Sequence, residues 1–115
     1  MATAVTTAWQ QAVESPPHIQ SEVPVSDALG ERIDVVDFTE SIAYEMKVSG
    51  KNADHEFYKD IFKVWVYNRD HERKLERFVF ITERDGVDRL TRGLPSVVVN
   101  GSGELLGISI ELVAV

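Results

Sequence analysis

Apolar and polar positions alternate with a period of two in three early stretches of the chain. In HIQSEVPV, Ile19, Val23 and Val25 alternate with polar residues as a half-buried strand does. RIDVVDF and IAYEMKV follow, set apart by the turn-forming SDALGE and TES, so residues 18–48 read as a three-stranded meander. Ahead of it, Val5, Trp9, Ala12 and Val13 fall at helical spacing, which predicts a short first helix with that stripe turned inward and stopped by SPP.

After SGKN the period changes. Phe57, Ile61, Val64 and Trp65 stand at i, i+4, i+7 and i+8, the apolar stripe of a helix from about Asp54 to about Asp70, with Asn52 or Asp54 as its N-cap. RFVFITE reads as the next strand and DGVDRLTRG as a short helix ended by Gly93. The last stretch, PSVVVNGSGELLGISIELVAV, supplies one or two more strands, with NGSG as the turn and Ile108, Ile110 and Leu112 alternating against Ser109 and Glu111. The order is α-β-β-β-α-β-α-β-β, an α/β domain with a mixed β-sheet flanked by helices, in which the strand–helix–strand unit makes its two strands parallel.

Composition narrows the class. A chain of 115 residues is expected to form a single domain, 1–115, with a real core. With 43% apolar and 27% charged residues and no apolar run long enough to span a bilayer, neither disorder nor membrane insertion is expected. There is no cysteine, so no disulfide or thiolate metal site, and the N-terminus lacks the pattern of a signal peptide, which predicts a cytoplasmic location. His18, His55 and His71 have neither mutual spacing nor a partner motif, which argues against zinc.

The formal charge of -7 argues against indiscriminate affinity for polyanions, but its distribution is uneven. Residues 1–46 hold eight acidic residues and one basic one, Arg32, whereas residues 47–77 hold eight basic and six acidic residues. The first part is suited to gathering carboxylates around a cation, the second to facing phosphates.

The charges within the strands carry the chemistry. Ala43, Glu45 and Lys47 share one face of their strand, and Asp34 sits between Ile33 and Val35 on the neighbouring one. Antiparallel neighbours lie about 4.8 Å apart, which brings Asp34 and Glu45 close enough to repel unless a cation joins them. Mg²⁺, or Mn²⁺ in its place, suits such hard oxygen ligands. Lys47, about 7 Å along the strand from Glu45, is placed to orient a water or to balance charge on a phosphate in phosphodiester hydrolysis.

The pattern Ile33-Asp34 followed by Glu45-Met46-Lys47, with ten residues between the acids, resembles the PD-(D/E)XK nuclease superfamily. Restriction endonucleases and archaeal Holliday-junction resolvases share that fold. The resemblance covers nearly the whole chain, since the family core is a leading helix, a three-stranded meander, a helix, a strand and a helix. It implies a restriction-endonuclease-like fold and a metal-dependent DNA endonuclease, restriction-like or structure-selective. In such an enzyme Asp34 and Glu45 bind the metal, Lys47 assists the attacking water, and an acid of the first helix, Glu14 or more weakly Glu22 of the first strand, joins them. Ile33 stands where the name-giving proline would be, and the second helix has no Gln-x-x-x-Tyr. A core this small implies a homodimer or a partner subunit to grip DNA.

Plainer readings stand beside these. Glu45 and Lys47 form an ion pair on a solvated face, worth less than about 1 kcal/mol; Glu14 is a solvated helix-end residue; and Asp37 accepts bonds from a turn. Lys51, Lys59 and Lys63 are wet lysines on an outer helix face, or phosphate contacts. Trp9 and Trp65 belong to the core, and Tyr58, Tyr67 and Arg69 meet nucleic acid only if the second helix borders the groove. The alternative function is a nuclease-like domain without catalysis, a protein-binding or assembly module.

Overall fold

A computed structural model describes residues 4–27, 30–94 and 104–115. The elements follow the expected order: α1 (Ala4–Val13), β1 (Ile19–Pro24), β2 (Arg32–Asp37), β3 (Ile42–Lys47), α2 (Ala53–Asp70), β4 (Arg77–Thr82), α3 (Arg84–Gly93), β5 (Glu104–Leu105) and β6 (Ile108–Ala114). The strands form one mixed sheet in the order β1-β2-β3-β4-β6-β5. β1, β2 and β3 are the antiparallel meander, while β3, β4 and β6 run parallel. No helix among the described residues is long and apolar enough to cross a membrane.

β4 lies between two parallel neighbours, and its Phe78, Val79 and Phe80 are all buried. Its unbroken apolar run therefore reflects cover on both faces, whereas the outer strands alternate. Phe57 of α2 seats on this strand, its ring 5.7 Å from that of Phe78 and 5.6 Å from that of Phe80, the latter edge-on. Ala53, Ile61, Val64 and Tyr67 extend the same buried stripe of α2. Asn52 precedes the helix in a left-handed conformation and makes no side-chain capping bond. Asp37 does serve the turn after β2, its Oδ1 accepting from the backbone N–H of Thr39 and Glu40.

Two helical stripes differ from the sequence expectation. Trp65 is 36% exposed rather than in the core. At 3.6 residues per turn it stands about 80° around the helix from Phe57, and the sheet-facing sector is filled by Phe57, Asp60, Ile61 and Val64. In α1 the buried residues are Thr6 and Gln10, while Val5 is exposed and Trp9 half-buried. On that inward face Gln10 Nε2 donates to the carbonyl of Asp34 at 3.0 Å.

Leu106 and Gly107, both with positive φ (56° and 78°), form the two-residue turn joining β5 to β6. The expected strand PSVVV and the turn NGSG fall at 95–103, outside the described residues.

The loop after β3 touches the first turn of α3 backbone to backbone. A Cβ at Gly86 would stand 2.8 Å from Thr82 Cγ2 and 3.1 Å from the Cα of Gly50. A helical Gly→Ala change ordinarily stabilises by about 1 kcal/mol, but here overpacking outweighs the propensity. Gly86→Ala is expected to destabilise by about 1–3 kcal/mol, read as a lower midpoint in urea or thermal unfolding.

Candidate functional site

The site forms where β2 and β3 stop pairing. Their register runs Asp37↔Ile42, Val36↔Ala43 and Val35↔Tyr44. One step further, two carboxylates take the place of backbone acceptors: the N–H of Asp34 donates to Glu45 Oε1 at 3.2 Å, and the N–H of Met46 donates to Asp34 Oδ2 at 3.0 Å. Each acid is thus anchored on the other's strand. Alternation from the Val36↔Ala43 pair carries Asp34, Glu45 and Lys47 onto the face covered by α2.

Glu45 is fully buried, and its cation is not Lys47. Lys63 of α2 places its Nζ 2.8 Å from Glu45 Oε1 and 3.2 Å from Asp60 Oδ1, and donates to the carbonyl of Arg32 at 2.7 Å. Three oxygens thus surround one ammonium group, one of them a hydrogen-bonded carbonyl and two of them carboxylate partners in ion pairs. Asp60 is as buried as Glu45, both at 0% exposure, so two carboxylates share one buried cation. Among the described residues, Glu45 Oε2 and both carboxylate oxygens of Asp60 have no hydrogen-bond partner, so Asp60 meets Lys63 as an ion pair.

The pKa directions follow from this imbalance. Burial pushes the Glu45 carboxyl well above its ordinary value, Asp60 and Asp34 push it further, and Lys63 opposes them. Burial also raises Asp60, against the pull of Lys63 and Lys47. For Lys63 burial works against the charge, but Glu45 and Asp60 outweigh it and hold the ammonium above its ordinary range.

Lys47 lies at the mouth of the site, 3.7 Å from Glu56 Oε2, which also lies 3.5 Å from Lys59. Both expected partners, Glu45 and Lys47, therefore pair with α2 and not with each other. A cleft of about 650 Å³ opens here, lined by Asp34, Met46, Lys47 and Lys63 together with Thr6, Glu22, Glu31, Arg32, Lys51, Glu56 and Lys59. Glu45 stands behind this lining. Glu14 lies elsewhere: it is exposed, and its carboxylate accepts from Ser21 Oγ. Glu22, the weaker expectation, does reach the cleft wall.

Asp60, Lys63 and Gln10 are the site residues that the periodicity did not single out. A signal for Asp60 exists. Position 60 stands within about 60° of Phe57, so Asp60 is carried into the inward sector; Lys63, expected as a wet lysine on the outer face, stands about 120° from Phe57 and is instead buried, reaching in from the flank to Glu45 and Asp60. Gln10 has no comparable mark.

Asp34 and Glu45 offer two hard oxygen donors from adjacent strands, one with an unpartnered buried oxygen, beside an excess of negative charge. That donor set fits a divalent cation whose remaining positions are filled by water or phosphate. No group of three or more His, Cys, Asp or Glu with metal-holding geometry occurs among the described residues. Comparison with protein-family models, curated proteins and solved structures returns no match to the chain.

Lys63→Met is expected to cost about 3–5 kcal/mol near neutral pH, because it strands two buried carboxylates; urea unfolding measures the loss. The pH dependence has a definite sign. A carboxyl whose folded pKa lies above its unfolded one stabilises while protonated, and that contribution is lost as pH rises through the folded pKa. Glu45→Gln removes this loss, so its melting temperature relative to wild type should climb from pH 5 toward pH 8.

Proposed function

We propose that the chain is a Mg²⁺-dependent endodeoxyribonuclease. The observation that carries this reading is the reciprocal tie between Asp34 and Glu45 at the point where β2 and β3 part, with Lys47 on the same face at the mouth of a charged cleft. Asp34 and Glu45 would hold the ion, and their orientation is fixed without it: Met46 N–H grips the Asp34 carboxylate, and Gln10 holds the carbonyl of the same residue. When bound, a divalent ion supplies positive charge to the scissile phosphate and makes a water more acidic. Lys47 orients that water and offsets charge growing on the phosphate oxygens. Lys51 and Lys59, also in the cleft wall, provide cations for flanking phosphates.

The likeness of Asp34 and Glu45-Met46-Lys47 to the PD-(D/E)XK pattern, set on the same order of helices and strands, supports the reading. A restriction-endonuclease-like fold and a paired or dimeric assembly on DNA belong to the same proposal. One observation favours a second reading, a nuclease-like binding module without catalysis. Lys63 already neutralises Glu45, and Lys47 is held by Glu56, as a site adapted to do without metal would be.

Linear and branched DNA incubated with the protein and Mg²⁺ or Mn²⁺ should be nicked. Asp34→Asn and Lys47→Ala should slow nicking about 10²-fold or more. Absence of nicking, or full activity in Lys47→Ala, defeats the mechanism. Thermal unfolding separates the two readings: a metal bound only by the folded chain raises the melting temperature, and the binding-module reading expects no rise.

A further inference from the structure

We infer that Asp60 is a positioning residue for the metal: it keeps the Lys63 ammonium when a divalent cation displaces that ammonium from Glu45. On the reading of Asp34 and Glu45 as metal ligands, on which this rests, Lys63 is an internal counter-ion that competes with the metal, and Asp60 decides how readily it yields.

Asp60 is the side chain that calls for such a role. It stands on the sheet-facing side of α2 among Phe57, Ile61 and Val64, at 0% exposure, and neither of its carboxylate oxygens has a hydrogen-bond partner among the described residues. Buried polar groups are ordinarily satisfied, and one left without partners costs stability. An apolar side chain at position 60 would continue the stripe at no such cost. Glu45 is placed differently: its Oε1 accepts from the N–H of Asp34 at 3.2 Å, while its Oε2 is buried without a hydrogen-bond partner. One ammonium therefore stands between two buried acids, 2.8 Å from the acid of β3 and 3.2 Å from the acid of its own helix.

Charge gives the arrangement its use. Asp34, Glu45 and Asp60, all ionised, set three negative charges against the one positive charge of Lys63. A divalent ion held by Asp34 and Glu45 brings the sum to zero and leaves Lys63 to Asp60 alone. An ammonium and a divalent cation on one carboxylate repel each other, strongly where water is excluded, so the ion binds Glu45 only as far as Lys63 yields. The move required is short. Lys63 and Asp60 are i, i+3 neighbours on α2, the Arg32 carbonyl accepts from the same ammonium at 2.7 Å, and the lysine stem is flexible. Lys63 thus keeps two oxygen partners inside the protein without swinging out into the cleft that it lines. Lys47 is no substitute as the partner of Asp60, since it stands at the mouth beside Glu56, 3.7 Å away.

Calorimetric titration of the full chain with Mn²⁺, beside the Mn²⁺-induced rise in melting temperature, tests the inference without reference to activity. Lys63→Met should bind Mn²⁺ about tenfold tighter than wild type or more, and Asp60→Asn about tenfold weaker. The double variant, Lys63→Met with Asp60→Asn, should keep the tight affinity of Lys63→Met, because Asp60 acts through Lys63. Two charges acting on the ion independently would give additive changes instead. The double variant strands one carboxylate fewer than Lys63→Met, so its comparison with Asp60→Asn carries the test if Lys63→Met does not fold. Asp34→Asn should abolish the heat in every background, which assigns it to this site. Wild-type binding that Lys63→Met does not tighten overturns the inference and leaves the metal site standing. So does an Asp60→Asn effect that is undiminished in the Lys63→Met background, or no Asp60→Asn effect at all, as expected if Lys63 leaves for the cleft. Absence of Mn²⁺ binding in wild type and in both Lys63→Met backgrounds overturns the metal site as well.

Discussion

The ammonium of Lys63 is the fixed point around which the cleft end of the molecule is arranged. It lies under α2, bonded or ion-paired to Glu45, Asp60 and the carbonyl of Arg32 at 2.7 to 3.2 Å. Two carboxylates cannot be kept in an apolar interior as anions without such a partner, since desolvation of each costs several kcal/mol. Removing the cation would leave the carboxylates to take up protons or to draw in water, and either would loosen the helix from the strands beneath it. At the opposite face of the same contact Phe57 rests on Phe78 and Phe80. Aromatic packing supplies the bulk of the attraction there, but a lysine with three defined oxygen partners leaves the helix little freedom to slide.

β2 and β3 part beside this cation: the Asp34 carbonyl accepts from Gln10, the Arg32 carbonyl accepts from Lys63, and the carboxylates of Asp34 and Glu45 accept from backbone donors. The break creates the opening that Lys47, Lys51 and Lys59 line.

α2 serves three environments at once. One sector is apolar and faces the sheet, a second carries Glu56, Lys59 and Lys63 to the cleft, and a third presents Tyr58, Phe62 and Trp65 to solvent. With 100° between successive residues, such sectors are set by single-residue steps in the sequence. Position 65 shows how narrow the divisions are. It reads as core from its spacing to Phe57 and lies instead at the edge of the exposed stripe.

Much of the architecture was legible in the one-dimensional pattern. The period-two runs of the meander, the period shift after SGKN and the unbroken apolar run of β4 each reflect local burial, which depends on neighbours close in sequence. Asp34, Glu45 and Lys47 could be placed on one face for the same reason, because strand alternation is a local rule. The partners of those charges were not legible. Glu45 finds Lys63 eighteen positions away, Lys47 finds Glu56, and Asp34 is steadied by Gln10 from α1. Those pairings depend on how α2 and α1 rotate over the sheet, and that rotation minimises the free energy of the whole contact rather than of either segment. Periodicity determined which strand residues and which apolar stripe of α2 face inward; the facing of α1 and of Trp65 and Lys63, and which inward charges meet, were decided only by the assembled tertiary structure, because Coulombic and hydrogen-bond energies depend on distances that no local rule specifies.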